Sequence, residues 1–135
     1  MSAAEHFVDT SVLLYLLSAD AVKADRAEEI LAAGATISVQ VLNEFASVAS
    51  RKLGMAAGEV REALEPIKAV CAVVPLTLAV HERGLQVAER YRFSIYDALI
   101  VGAALESGCK TLYTEDLQDG QVIEKVLVVR NPFRR

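Results

Sequence analysis

Apolar positions along the chain fall into short continuous runs and longer helical stripes, separated by glycines and small polar residues. Phe7-Val8 reads as the end of a short buried strand. The run Val12-Leu13-Leu14-Tyr15-Leu16-Leu17 then predicts a helix over residues 12–19, with Ser11 as its cap. Good helix formers fill 21–33 and stop at Gly34, where a left-handed C′ residue belongs. Residues 35–39 are β-branched and strand-like. A helix follows over 40–53, with Val41, Leu42, Phe45, Val48 and Ala49 on one stripe. After Gly58 the helical pattern resumes over 59–71, and Pro66 is expected to kink or divide it. Residues 72–76 predict a third strand, Thr77 caps a helix over 78–91, and 94–107 predicts a further helix closed by Gly108. Residues 110–113 and 126–129 predict the last two strands.

Strands alternating with helical patterns predict an α/β protein with a mainly parallel sheet of about five strands. With 135 residues, no repeat and no linker, the chain is expected to form one domain over 1–135. In open parallel sheets, ligands gather beyond the carboxyl ends of the strands. Asp9 follows the first strand directly, and Asp116 follows the fourth after a Thr114-Glu115 step. Two acids far apart in sequence are thereby expected at one edge of one sheet.

Composition narrows the classes. A hydrophobic fraction of 53% argues against disorder. No segment approaches the ~20 apolar residues that span a bilayer, and residues 1–6 show neither a basic region nor an apolar leader. A cytoplasmic location is expected. Net charge is −4, from 18 acids against 14 bases, which argues against a simple basic nucleic-acid binder. It leaves open an enzyme that meets phosphate through a metal. Cys71 and Cys109 sit in apolar surroundings outside any CxxC and read as buried free thiols. His6 and His81 stand in unrelated contexts, and the chain has no zinc spacing and no phosphate-binding loop.

Four acids carry candidate chemistry. Asp9 could simply cap a helix, but Thr10 and Ser11 could do so too, and a cap alone does not require Asp. Glu44 borders the buried stripe of its helix, and periodicity alone reads it as an ordinary solvated Glu. Asp97 fits a capping box begun by Ser94, yet every residue from Ala98 to Leu105 is apolar or Gly. A carboxylate in the first turn of a helix buried all round needs a partner, and no basic residue lies within a turn after it. Asp116 lies in a polar loop with Glu115 and Asp119 close by, either of which could act in its place. Together these acids follow two strand ends and sit in two helices without matching cations, and hard oxygen ligands of this kind suit Mg²⁺ or Mn²⁺.

Val8-Asp9-Thr10-Ser11, Asn43-Glu44-Phe45, Tyr96-Asp97-Ala98-Leu99-Ile100 and Thr114-Glu115-Asp116, in that order and spacing, resemble the PIN domain, and within it the VapC-like toxins of bacterial and archaeal toxin–antitoxin pairs. The resemblance covers essentially the whole chain. It implies a three-layer α/β/α fold and a metal-dependent endoribonuclease that uses Mg²⁺ or Mn²⁺. Asp9, Glu44, Asp97 and Asp116 match the family's acidic quartet as catalytic and metal-binding residues. Ser11 matches a hydroxyl that supports the first acid, and Thr114 a polar residue beside the last. Metal and carboxylates would serve in-line displacement at a phosphodiester. Arg51, Lys52, Arg90 and Arg92 are candidates for holding the RNA backbone.

Two other classes compete. An aspartyl-phosphate phosphatase or phosphotransferase would use Asp9 after the first strand, but its pattern wants a second Asp where this chain has Ser11. A non-catalytic PIN-fold binding module would not need all four acids. The leucines at 13, 14, 16 and 17, on nearly every side of the first helix, and the helix over 40–53 offer much apolar surface. A homodimer is expected from this, with a groove near these helices for an amphipathic antitoxin segment. A basic side chain from that segment could occupy the metal's place and silence the enzyme.

Overall fold

Strands and helices alternate along residues 5–134, the part of the chain that the computed structural model describes. Residues 1–4, part of the stretch read above for a leader, lie outside the described residues. The strands are β1 (His6–Val8), β2 (Ala35–Ser38), β3 (Cys71–Val74), β4 (Thr111–Tyr113), β5 (Val122–Ile123) and β6 (Leu127–Arg130). They form one sheet in the order β3-β2-β1-β4-β6-β5, parallel throughout except where β5 pairs with β6. The helices are α1 (Thr10–Leu13), α2 (Ala21–Ala32), α3 (Val39–Arg51), α4 (Ala57–Val70), α5 (Leu78–Tyr91) and α6 (Ile95–Glu106). They complete a three-layer α/β/α arrangement. Phe7, Ile37 and Leu112 from the central strands meet Phe45 and Ile100 from the helices in a fully buried core.

Strand order places the site. The chain leaves β1 toward β2 on one side, and leaves β4 toward β6 on the other. The carboxyl ends of β1 and β4 therefore flank the point where the winding reverses, the usual crevice of an open parallel sheet. The register pairs Val8 with Tyr113, and the amide of Asp9 donates to the carbonyl of Tyr113 at 2.9 Å. Asp9 and the segment 114–116 are thus delivered side by side.

Several local expectations change. The helix expected over 12–19 is instead the single turn α1 followed by a 3₁₀ turn at Leu14–Leu17. It starts early because Asp9, not Ser11, is the N-cap. It ends at extended Ser18, whose hydroxyl accepts from the amide of Asp20, the cap of α2. Val39 belongs to α3 because Ser38 caps that helix through the amide of Val41. Pro66 neither ends nor divides α4. Pro66 and Glu62, whose carbonyl loses its helical partner, are both exposed, so water can replace the missing bond. The sheet gains β5, two residues long and antiparallel, which is too short for alternation to reveal. Cys71 and Cys109 are free and buried, as expected. Leu13 belongs to the core, while Leu14, Leu16 and Leu17 are partly buried against it. No helix of the described residues is long and apolar enough to cross a membrane.

Candidate active site

Asp9 is buried at the carboxyl end of β1. Its Oδ2 accepts from the Thr114 hydroxyl at 2.7 Å and the Ser11 hydroxyl at 2.8 Å. The same two hydroxyls accept in turn from the loop after β4: Thr114 Oγ1 from the Asp116 amide at 3.0 Å, and Ser11 Oγ from the Glu115 amide at 3.2 Å. The network fixes the rotamer of Asp9 and the path of the loop that presents Asp116. Hydrogen bonds to a charged group are worth roughly 1.5–3 kcal/mol. Thr114→Val should therefore lower stability by about 2 kcal/mol, read as a shift of the denaturant midpoint, and an unmoved midpoint would show that the network is dispensable.

The other three carboxylates arrive from different elements. Glu44, on α3, is half-buried; its Oε2 accepts from Gln40 Nε2 at 2.9 Å and its Oε1 from the Thr10 hydroxyl at 3.4 Å. Burial raises the Glu44 carboxyl, and the charges of Asp9 and Asp97 raise it further against the Gln40 bond that lowers it. Asp97 stands in the first turn of α6, whose N-cap Ser94 accepts from the Asp97 amide at 3.2 Å. Burial and then the charge of Asp9 push its carboxyl up. Asp116 is pushed up to about 6, first by burial of the carboxyl and then by Asp9 and Asp97. The residue as a whole is exposed, so solvent screening softens that repulsion. Asp9 therefore acts on the other three predicted acids, and Asp97 on Glu44 and Asp116. None of the four has a basic ion-pair partner among the described residues.

Among the described residues no three His, Cys, Asp or Glu side chains form a ready metal-holding cluster. The quartet shares one electrostatic field without a closed coordination sphere. Its donors are all carboxylate oxygens, without a paired cation among the described residues, and that donor set fits a hard divalent ion. The neighbouring acids are committed elsewhere. Glu115 accepts from the Tyr15 hydroxyl at 2.7 Å and pairs with Lys23 at 3.6 Å. Asp119 accepts from the Asn131 amide at 2.8 Å and pairs with Arg134 at 3.8 Å.

The basic candidates divide. Arg51 shares a polar groove with Glu44, and Lys52 lines its continuation along α3. Arg90 and Arg92 line neither groove. Arg90 pairs with Glu124 at 3.5 Å, and Arg92 ends α5 in the left-handed conformation, with φ 59°. Sequence reasoning missed Gln40 and Thr10, which hold Glu44, and Tyr15 with Lys23, which hold Glu115. The spacing of Gln40 and Glu44, one helical turn, was a usable signal. Tyr15 meets Glu115 only through the fold, 100 residues away.

Comparison with solved structures finds the same fold. Mycobacterium tuberculosis VapC20, described as a sarcin-ricin loop cleaving toxin, superposes with a TM-score of 0.67 at 23% identity, covering 82% of this chain and 89% of that one. A toxin–antitoxin complex from Klebsiella pneumoniae gives 0.71 at 19% identity, with 96% and 99% covered. VapBC2 from Rickettsia felis, bound to a DNA fragment from its promoter, gives 0.68 at 16% identity, with 93% and 96% covered. No curated protein matches the chain significantly. The family model of the PIN domain matches residues 6–120, a span that holds all four acids, and the chain belongs to the PIN domain family.

Proposed function

We propose that this PIN domain, taken as one unit over 1–135, is a metal-dependent endoribonuclease and the cytoplasmic toxin of a type II toxin–antitoxin pair. The observation that carries the reading is the grouping of Glu44, Asp97 and Asp116 around Asp9 at the switch point of the sheet, with no basic ion-pair partner among the described residues. These carboxylates would hold Mg²⁺ or Mn²⁺, which when bound supplies charge stabilisation at a phosphodiester and a more acidic water. The chain's own contribution is positional. Ser11 and Thr114 hold Asp9, Gln40 and Thr10 hold Glu44, and the cap at Ser94 fixes the first turn that carries Asp97. The test is cleavage of single-stranded RNA by the purified protein with Mg²⁺ or Mn²⁺, lost in EDTA and restored by added metal. Failure to cut any RNA with either metal would sink the reading.

An apolar groove of about 410 Å³ supports an antitoxin partner. Leu16, Leu17, Leu31, Phe45, Ile67 and Val70 line it, and Val70 is exposed. An amphipathic partner helix would lay its apolar face there, and a basic side chain from its continuation would find the acidic quartet. Co-expression with the protein encoded directly upstream is expected to give a stable, inactive complex that Val70→Asp weakens. An unaltered cleavage rate in that complex would remove the proposed inhibition. Leu78 and Leu85, one face of α5, are also exposed. A homodimer would cover them, and light scattering that finds a monomer at every concentration would refute it.

A further inference from the structure

The groove beside Glu44 has a chemistry of its own. It encloses about 460 Å³ between Gln40, Asn43, Glu44, Ser47 and Arg51 of α3 and Tyr96 of α6. Glu44 lines the groove and belongs to the acidic site, and Tyr96 is the residue before Asp97, so the groove adjoins that site. Tyr96 is 62% exposed and its ring makes no ring contact among the described residues, unlike Tyr15, Tyr91 and Tyr113, each of which has an aromatic neighbour. An aromatic left largely exposed at the mouth of a polar cleft is a platform for a planar ligand.

The opposite wall offers charge and a reading edge. Arg51 donates through Nη1 to Ser47 Oγ at 3.3 Å, which lays its guanidinium along the groove. No carboxylate among the described residues pairs with Arg51, whereas Arg26, Arg83, Arg90 and Arg134 each have one. A held, unpaired guanidinium a few residues from an acidic quartet suits a phosphate group. Asn43 is exposed in the same groove and presents an amide, a donor and an acceptor together. Gln40 is not available for this, because its amide holds Glu44.

We propose that this groove binds one unstacked nucleotide of single-stranded RNA next to the scissile phosphate, with the base on Tyr96, the phosphate on Arg51 and the base edge against Asn43. The proposal rests on the ribonuclease reading above and deepens it, because it assigns the substrate strand a path along α3 and excludes paired RNA from that path. A base can lie on Tyr96 only when it is free of its own helix.

The test is equilibrium binding, followed by fluorescence anisotropy of a 5′-fluorescein RNA decamer of random sequence in Ca²⁺, beside a duplex of the same length. Tyr96→Ala is expected to weaken single-strand binding about tenfold and Tyr96→Phe to restore it, since one base–aromatic stack is worth about that factor. Arg51→Ala is expected to weaken binding to a similar extent and to lower the salt slope by about one. Arg61→Ala, on the exposed face of α4, should change nothing. Duplex binding should be weaker than single-strand binding and insensitive to Tyr96. Single-strand binding by Tyr96→Ala within twofold of the parent would overturn the stacking site, and metal-dependent cleavage by the parent would then still stand. A parent protein that neither binds nor cuts the RNA would overturn both together.

Discussion

Asp97→Asn is expected to reduce RNA cleavage about 10²–10³-fold, the usual cost of removing one preorganised electrostatic group, while leaving the fold intact or firmer. The substitution keeps the shape of the side chain. The cap on α6 survives, because Ser94 accepts from the backbone amide at position 97 rather than from the side chain. What changes is charge. Asp97 helps to raise both Glu44 and Asp116, so its neutralisation relieves repulsion within the quartet. The sign with pH follows from the raised Asp116 carboxyl. Its ordinary value is 3.8 and its folded value is about 6, so between those pH values the native state holds a proton that the unfolded chain has released. Stability in metal-free buffer is therefore greatest at the acid end of that window and falls as pH rises through 6. Asp97→Asn should make the fall shallower. Thermal melts in EDTA at pH 5 and pH 7.5 measure it, and cleavage assays in Mg²⁺ measure the catalytic loss. Parental cleavage by the pure variant would remove Asp97 from the site, and an equally steep or steeper fall would contradict the repulsion.

Local chemistry was legible wherever a residue's conformation answers to its neighbours in sequence. Gly34 and Gly108 read as helix ends from sequence, and both adopt positive φ, 97° and 76°. The cap at Thr77 and the all-round burial of residues 98–105 were also legible. The position of Asp9 at a strand end was readable because β1 is short, apolar and followed at once by polar residues. Glu44 was not readable from periodicity. It lies at the border of its stripe, and what draws it inward is Thr10 and Gln40, one of them on another element. The choice between Glu115 and Asp116 had no local signal either, because what engages Glu115 is Tyr15, 100 residues away in sequence, together with Lys23. The early end of the first helix escaped for a related reason. Its leucines would suit a longer helix, but the Ser18 and Asp20 side chains favour a turn and a fresh start. Periodicity reports which side of an element faces the core, and it is silent on side chains that meet across elements.

Gly102→Ala is expected to destabilise the protein by about 1–2 kcal/mol and Gly102→Val by about 3 kcal/mol, the range of overpacked cores. A Cβ at Gly102 would lie 3.0 Å from the carbonyl oxygen of Val80 and from the amide nitrogen of Gly84, and 3.2 Å from the Gly84 Cα. All three are backbone atoms of α5, and no flexible side chain can turn aside. The two helices cross with backbone against backbone, and a methyl group must part them. Ala would recover helix propensity of up to ~1 kcal/mol, which is why its net effect is the smaller. Gly58 supplies the control. It also lies in a helix, α4, yet a Cβ there meets nothing within 4 Å. Gly58→Ala should stabilise by about 0.5 kcal/mol, the propensity gain alone. Opposite signs for one chemical change would locate the effect in packing. The consequence reaches the site, because α6 carries Asp97 five residues before Gly102. Parting α6 from α5 shifts the first turn that sets Asp97 against Asp9, so cleavage by Gly102→Val should fall well below the loss explained by its unfolded fraction at the assay temperature. Thermal melts of the three variants and cleavage rates normalised to folded protein test both halves. A Gly102→Val melt equal to the parent's would show that the helices have room to spare, and a parental rate per folded molecule would uncouple the crossing from the acidic site.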